Sequence, residues 1–248
     1  MRAPRFFEWQ EQRWLPRYFR HGITHYLRKL FVGFNIYSPV APLLAHLIKQ
    51  THRTKLWDFC SGSGGMLPEI QTSLRENHQI ETDITFTDKF PNCDDLVALC
   101  KSAPESLHFK AEAIDALHHD QPTSAIRTFF TAFHHFNEKD ATQILKSAVK
   151  SGDPIAIFEF TEHRWYRYCF DLIIPFHVLG GFLTTRPHSL KQLATSPALA
   201  LMIFWDSLVS NIRTYSTKEL QQMTAALPDN DYVWETGQVK AGLRFYKL

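Results

Sequence analysis

The pattern of hydrophobic and polar positions divides the chain into a helical start, an alternating middle and an apolar late segment. Over residues 1–50, aromatic and aliphatic residues recur every three or four positions with arginines between them, which predicts amphipathic helices. From residue 55, short apolar runs alternate with helical patterns. Strands that alternate with helices in this way are typical of a parallel sheet with helices on both faces.

The apolar runs predict seven strands in all. Five of them cover residues 55–60, 84–88, 107–114, 126–133 and 154–162. Two further runs, 232–240 and 242–248, are expected to form a closing hairpin. The predicted fold is α/β and Rossmann-like, with one seven-stranded, mostly parallel sheet whose last strand is antiparallel.

The helical segments set the expected domain organisation. Residues 1–50 are interpreted as an N-terminal helical cap and 51–248 as one α/β domain, interrupted by an apolar helical insert at about 163–212. Helix ends are marked by Asn137 and Gly152 for one helix, and by the Ser216–Glu219 capping box for another. A chain of 248 residues is long enough for such a domain with a full core.

Composition narrows the classes of partner. A formal net charge of +2 does not indicate nucleic acid, and no nucleic-acid partner is expected. The 20 Phe and 6 Trp residues indicate an apolar pocket, an apolar surface, or both. The four cysteines form no C-x-x-C pair and no secretory signal precedes them, which favours free thiols in the cytoplasm.

The most apolar stretches, 169–183 and 197–205, are interrupted or too short to be expected to cross a bilayer. A basic, aromatic N-terminus is nevertheless typical of helices that lie on an anionic membrane surface. Peripheral membrane contact is therefore an expectation beside the one we favour, a cap over a cofactor site.

The clearest chemical motif is the glycine-rich run that follows the first strand. It begins at Asp58 and contains Cys60, Gly62 and Gly64, between a predicted strand and a predicted helix. Glycines at such a turn let the backbone approach a ligand that a Cβ atom would exclude. Asp88 closes the next strand, 24 residues after Gly64, where a ribose-binding carboxylate belongs in a nucleotide-binding sheet. The alternative role for Asp88 is to support the loop itself.

These motifs resemble those of class I S-adenosylmethionine-dependent methyltransferases. The first motif of that family is commonly D-x-G-x-G-x-G, and this chain has Cys60 at the first glycine, which is tolerable if its backbone angles are ordinary. The resemblance continues at Asp115 and Ala116 after the third strand, a position that contacts adenine in the family, and at the FHHF segment after the fourth. It implies S-adenosylmethionine as the cofactor, bound by the residues Asp58, Cys60, Gly62, Gly64, Asp88, Asp115 and Ala116.

The flanking segments are similar to a group of uncharacterised bacterial methyltransferase-like proteins. The similar stretches are FEWQEQRWLPRYFR, YSPVAPLLAHLI, DFCSGSGG, FTDKFPN, FTAFHHF, FEFTE and WDSLVSNIRTYS. This resemblance extends over nearly the whole chain and implies the fold and the cofactor, without a substrate.

Two other functions stay open. An NAD(P)-dependent oxidoreductase also uses a strand, a glycine loop and a helix, although the run GSGGML lacks the third glycine of G-x-G-x-x-G. A non-catalytic protein that keeps the fold for binding is the other alternative, and Cys60 gives it some weight.

Methyl transfer depends on holding the acceptor near the methyl group, and a base is needed only if the acceptor must lose a proton. His134 and His135 are the first candidates for contact with the acceptor, with Glu159 and Glu162 as alternatives. The apolar insert predicts a small, hydrophobic or lipid-like acceptor.

Two further groups of polar residues could form a metal site or a lid. No metal site is expected, because the spacing of the His118–Asp120 and His134–His135 segments fits no familiar zinc pattern. In the insert, Asp206, Arg213 and Tyr215 predict either polar anchors of a lid or a structural ion pair beside a buried tyrosine.

Overall fold

The computed structural model of the protein describes residues 6–184, 190–228, 232–241 and 244–247. Contacts between Cα atoms divide the chain into two compact units. The helical unit combines residues up to Tyr26 with Thr161–Thr214, and the sheet unit combines Leu27–Phe160 with the residues from Tyr215 onward. The boundary at Tyr26 falls inside a helix, α1, which spans Arg17–Gly33.

The sheet unit contains a five-stranded parallel sheet with the strand order β3-β2-β1-β4-β5. The strands are β1 (Lys55–Phe59), β2 (Asp83–Phe86), β3 (Leu107–Phe109), β4 (Ile126–Phe130) and β5 (Ile155–Phe158). In the register, Asp58 of the central strand lies between Phe86 of β2 and Thr128 of β4. All five carboxyl ends therefore meet at one edge of the sheet, where the following loops carry the candidate site.

Helices cover both faces of this sheet, as the sequence predicted. The helices are α2 (Val40–Thr51), α3 (Leu67–His78), α4 (Cys93–Cys100), α5 (Glu138–Ser151) and α9 (Thr217–Ala225). One apolar core joins residues of α2, α3 and α4, among them Leu44, Leu74 and Leu96, to the sheet. A second core joins α5 and α9 to the sheet through Ile144 and Leu220.

The predicted helix ends are confirmed. Asn137 caps α5 by accepting a hydrogen bond from the Asp140 amide, and Gly152 follows the helix with φ +68°. Ser216 and Glu219 form a reciprocal capping box at the start of α9. These side chains satisfy backbone groups that have no partner within the helix.

The closing strands correct the prediction of one seven-stranded sheet. β6 (Gln238–Ala241) and β7 (Arg244–Lys247) form the predicted antiparallel hairpin. In the described part of the chain this hairpin is a separate two-stranded sheet, and the central sheet has five strands. Residues 232–237, which were expected to extend the sixth strand, are irregular, and residues 242–243 lie outside the described residues.

The helical unit contains a short 3-10 turn at Trp9–Glu11, the first part of α1, and three helices from the predicted insert. These are α6 (Trp165–Asp171), α7 (Ile174–Thr184) and α8 (Leu190–Arg213). The apolar run 197–205, which looked too short to cross a bilayer, lies inside the 24 residues of α8. By length and composition alone, α8 is the one helix among the described residues that could cross a membrane.

The length and composition of α8 are equally typical of the core helix of a protein. The buried polar residues of α8 make hydrogen bonds to neighbouring segments. Asp206 accepts hydrogen bonds from the amides of Trp9 at 2.7 Å and Gln10 at 3.2 Å. The Asn211 side-chain amide donates to Asp171 at 2.9 Å. Such satisfied inward polar groups are typical of helices that pack within a protein.

Candidate cofactor-binding site

The glycine-rich loop leaves the end of β1 and turns sharply before α3. Its backbone takes the left-handed conformation at four positions, with φ of +57° at Cys60, +55° at Gly62, +88° at Gly64 and +50° at Gly65. Glycine reaches these angles without strain, which explains three of the four residues.

Cys60 departs from that rule. From the sequence, a cysteine at the first glycine position of the motif was tolerable on the condition that its backbone angles are ordinary, and the φ of +57° does not meet that condition. A non-glycine residue in the left-handed region costs roughly 1–2 kcal/mol. The strain at Cys60 shows that the loop keeps the geometry of a glycine turn even where the side chain opposes it.

A side chain at Gly64 would displace the Leu99 side chain as well as strain the backbone. A Cβ atom built on Gly64 would lie 2.3 Å from Cδ2 of Leu99, well inside contact distance. The Gly64 amide also donates a hydrogen bond of 2.7 Å to the carbonyl of Ser61. The loop therefore folds back closely onto the helix that follows β2.

Asp58 is buried beneath the loop. Its Oδ1 accepts a hydrogen bond of 2.7 Å from the Thr128 hydroxyl, and its carbonyl accepts from the Thr87 amide at 2.9 Å. Burial raises the pKa of the Asp58 carboxyl to about 7, although the hydrogen bonds from Ser61 and Thr128 oppose the shift. Asp58 thus connects the loop to both neighbouring strands.

Asp88 supports the loop directly. Its Oδ2 accepts a hydrogen bond of 2.8 Å from the Gly62 amide, and its Oδ1 accepts one of 2.7 Å from the Phe90 amide. This is the loop-supporting role that the sequence left as the alternative. Since each carboxylate oxygen can accept two hydrogen bonds, a role toward a ribose stays a prediction for the same residue.

Asp115 and Ala116 come next along the same edge. The Ile114 amide donates to the carbonyl of Asp88 at 2.8 Å, which ties the two loops together. Asp115 accepts a hydrogen bond of 2.5 Å from Lys89 and caps a 3-10 turn through the Leu117 amide at 3.2 Å. Burial opposes ionisation, but the bonds and charge of Lys89 and the Leu117 amide lower the pKa of the Asp115 carboxyl overall.

The acidic side chains converge on Cys60. Burial raises the pKa of its thiol well above the ordinary value, and the charges of Asp88, Asp58 and Asp115 raise it further. The charge of Lys89 opposes this shift. The structure therefore brings five of the predicted residues together at one edge of the sheet, namely Asp58, Cys60, Gly62, Asp88 and Asp115.

The two candidate histidines follow β4. His134 is buried, and its Nδ1 lies 2.9 Å from Oε2 of Glu159, while its amide donates to Oε1 at 3.0 Å. Burial opposes ionisation of Glu159, but the charge and hydrogen bonds of His134 lower its pKa below the ordinary value. The half-buried ring of His135 lies beside that of His134, with centroids 4.4 Å apart.

The coupling of His134 to Glu159 was missed from the sequence, which offered the two residues as competing candidates. The available signal was topological, because β4 and β5 are adjacent parallel strands whose ends meet at the same edge. The acid that closes β5 is therefore placed beside the loop that follows β4.

The remaining candidate residues have other partners. His118 approaches Asp115 at 3.5 Å, and His119 stacks on Trp57. Tyr215 belongs to the sheet unit, where its hydroxyl donates to the carbonyl of Phe136 at 2.8 Å.

In the helical unit, Glu162 pairs with Arg164, and Arg213 pairs with Glu8 and Glu11 at 2.9 and 2.8 Å. The Asp206–Arg213 ion pair that the sequence suggested is therefore wrong, because each side chain has another partner in the described structure.

Comparison with family models finds no match. Comparison with curated proteins also finds none. The similarity of this chain to known proteins is found by comparing its structure with solved structures.

Solved structures supply that similarity. The citrinin polyketide synthase CMeT domain aligns with a TM-score of 0.52 and 9% identity, over 89% of this chain and 55% of that one. Human N-acetylserotonin methyltransferase, solved with SAM, aligns with a TM-score of 0.47 and 13% identity, over 91% and 54%. Magnesium protoporphyrin IX methyltransferase from Synechocystis, solved with SAH, aligns with a TM-score of 0.44 and 8% identity, over 91% and 96%.

The chain thus spans about half the length of the first two of these structures. It has the class I methyltransferase fold, with a parallel central sheet and helices on both faces. Identities this low establish the fold alone, and function must be argued from the site.

Proposed function

We propose that this protein is an S-adenosylmethionine-dependent methyltransferase that uses the edge formed by the glycine-rich loop, Asp88 and Asp115. The observation that carries the proposal is the geometry of this edge, where the Asp88 carboxylate accepts a hydrogen bond from the Gly62 amide of the loop and its carbonyl accepts one from the Ile114 amide beside Asp115. S-adenosylmethionine has a sulfonium and an ammonium group, so an electronegative edge attracts it.

The same edge disfavours a dinucleotide. A pyrophosphate is bound at an exposed helix N-terminus that attracts anions. Here the first turn of α3 carries Glu69, and Arg28 bonds to both Glu69 and the carbonyl of Gly65. The carboxylate of Glu69 disfavours a second anion at this turn, which ranks the oxidoreductase alternative second.

The residues present fit the cofactor. The positive φ angles and the absence of a side chain at Gly62 and Gly64 give a close backbone approach for the methionine part. Asp88, which already accepts a hydrogen bond from the Gly62 amide, would also accept hydrogen bonds from ribose hydroxyls, and Asp115 with the buried Ala116 would contact the adenine. When bound, the cofactor supplies an electrophilic methyl group.

His134 is suited to accept a proton from an acceptor that ionises during transfer. Because an ionised carboxylate only accepts hydrogen bonds, Glu159 requires the proton of the imidazole to be on Nδ1. In the neutral imidazole the lone pair is then on Nε2, which is the form of a general base. His135 would position the acceptor beside it.

The acceptor that we propose is small and hydrophobic or lipid-like, with a hydroxyl or similar group that loses a proton. The support is the half-buried aromatic ring of Phe136, which directly follows the histidines and packs against the core ring of Phe129. An apolar acceptor would bury its surface against such rings.

Calorimetric titration with S-adenosylmethionine, S-adenosylhomocysteine and NADH tests the cofactor. Binding of the first two and not of NADH is expected, and Asp88→Asn should weaken it by about tenfold or more, the effect of losing one charge-assisted hydrogen bond. Asp83→Asn is the matched control, because Asp83 is exposed at the opposite end of the same strand.

Binding of NADH alone, or of none of the three, would overturn the proposal.

The role of His134 as a base is tested with labelled cofactor and a panel of phenols and long-chain hydroxyl compounds. Turnover should fall with His134→Gln and, less strongly, with Glu159→Gln, while affinity for the cofactor stays unchanged. Cofactor binding without transfer to any acceptor would favour the non-catalytic alternative.

A further inference from the structure

The helical unit exposes an unusual amount of apolar surface. At the junction of α6 and α7, Trp165 is 77% exposed and Phe176 is 76% exposed. Three further large apolar side chains between them are also exposed: Phe170, Leu172 and Ile173. Exposed apolar residues that follow one another this closely indicate a binding surface.

A second apolar stripe runs along the first half of α8. Leu190, Leu193 and Leu201 are exposed and lie three and eight residues apart, with the exposed Pro197 between them. This spacing places them on one side of the helix. The other side is buried through Leu199 and Ile203, so α8 has an inner and an outer apolar face.

The charges of the helical unit are sorted by sign. Of its five carboxylate residues, four are buried, namely Glu8, Glu162, Asp171 and Asp206, and the fifth, Glu11, is half-buried against Arg213. The exposed Lys and Arg residues in the described part of the unit are Arg13, Arg17, Arg164 and Lys191. The outward charge of the unit is therefore cationic.

The sheet unit shows no such sorting. Its surface exposes Glu76, Glu81 and Glu105 together with Lys101 and Lys146. The sorting is consequently a property of the helical unit and not of the overall composition, since the chain has nearly balanced charge.

We infer that the helical unit docks on the surface of a lipid bilayer that contains anionic lipids. The exposed Trp165, Phe176 and leucines would enter the boundary between headgroups and acyl chains, where aromatic residues are favoured. Arg13, Arg17 and Lys191 would face the anionic headgroups. A second copy of the chain fits this surface less well, because it would bring like charges together.

Vesicle flotation of the full chain tests this inference, independently of any methyl transfer. Binding should be strong with vesicles of phosphatidylcholine containing about a third phosphatidylglycerol, weaker with phosphatidylcholine alone, and reduced by salt. Vesicles with brominated acyl chains should quench tryptophan emission, and Trp165→Phe should reduce that quenching.

Two pairs of variants separate the contributions. Trp165→Ala with Phe176→Ala should weaken partitioning by about tenfold or more, because two large apolar side chains no longer enter the bilayer. Arg13→Glu with Arg17→Glu should abolish the preference for anionic vesicles. The matched control is Lys146→Glu with Lys150→Glu, which makes the same charge change on exposed residues of the sheet unit.

All of the substituted residues are exposed, so the variants should melt at the same temperature as the parent. Equal melting temperatures would exclude unfolding as the cause of weaker vesicle binding. The inference is overturned if the parent does not float with anionic vesicles, or if it binds neutral vesicles equally well. It is also overturned if the apolar pair leaves partitioning unchanged, or if that pair instead dissociates a dimer in sedimentation.

Discussion

The two units use carboxylates in opposite ways. At the edge of the sheet unit, Asp88 and Asp115 hold loops through backbone amides and set the charge around Cys60. In the helical unit, Asp171, Asp206 and Glu8 point inward and bind side chains and amides of neighbouring segments. One residue type thus shapes a candidate ligand site in one unit and stabilises the interior in the other.

This difference shows that the role of an acidic residue cannot be assigned from its presence in the sequence alone. A carboxylate at the carboxyl end of a parallel strand lies where ligands bind in this class of sheet. A position within a helix does not indicate ligand binding in this way, and the role of a carboxylate there depends on the segments that pack against it. The following substitutions test this distinction, from the largest expected effect to the smallest.

Arg213→Met should lower the free energy of unfolding by about 3–5 kcal/mol, because it leaves the fully buried Glu8 without its guanidinium partner. Urea denaturation measures the change. The control is Arg164→Met, which removes a partner of Glu162. Because the Arg164 side chain is 55% exposed, this substitution should lower the free energy of unfolding by less than about 1 kcal/mol. Equal costs would show that burial does not distinguish the two pairs.

Gly64→Ala should cost about 2–4 kcal/mol, through left-handed strain and overlap with Leu99. Gly65→Ala, also at positive φ but with nothing within 4 Å of the added Cβ, should cost only about 1–2 kcal/mol. Adding Leu99→Ala to Gly64→Ala should recover part of the excess strain. If both alanine variants behave alike in thermal melts, the close approach of the loop is refuted.

Asp58 should make the protein less stable as pH rises. Its folded pKa of about 7 lies above the ordinary 3.8, so the folded state binds the proton more tightly than the unfolded state. Its stabilising contribution is complete below the unfolded pKa and is lost as pH rises toward 7.

Between pH 5 and 8, Asp58→Asn should therefore gain about 2 kcal/mol relative to the parent. Denaturation at the two pH values measures this change. Asp83→Asn, at an exposed position of β2, should show no comparable gain.

Cys60 should react with iodoacetamide at least about tenfold more slowly than Cys169, which is exposed in the helical unit. Burial and the nearby acids raise the pKa of Cys60, so little thiolate is present near neutral pH. Peptide mass spectrometry gives both rates in one sample. Asp88→Asn should speed the reaction of Cys60 alone, and a change at Cys169 would indicate general loosening instead.

The parallel core could be predicted from the sequence because its signals are local. Apolar runs gave the five strands of the central sheet, and Asn137, Gly152, Ser216 and Glu219 marked helix ends through bonds within a few residues. β3 is shorter than its apolar run, since the chain after Phe109 leaves the sheet and Ile114 bonds to the loop at Asp88. The position of the closing hairpin was not predictable, because it depends on pairing between distant strands.

By itself, then, the sequence determined the strand–loop–helix order and the placement of Asp58, Gly62, Gly64, Asp88 and Asp115 at one sheet edge, because parallel strands bring their carboxyl ends together. Only the tertiary structure decided that Cys60 takes a left-handed turn, that Glu159 orients His134, and that Asp206 and Arg213 bind other partners than each other. Those outcomes depend on packing between segments far apart in the chain, which no local pattern encodes.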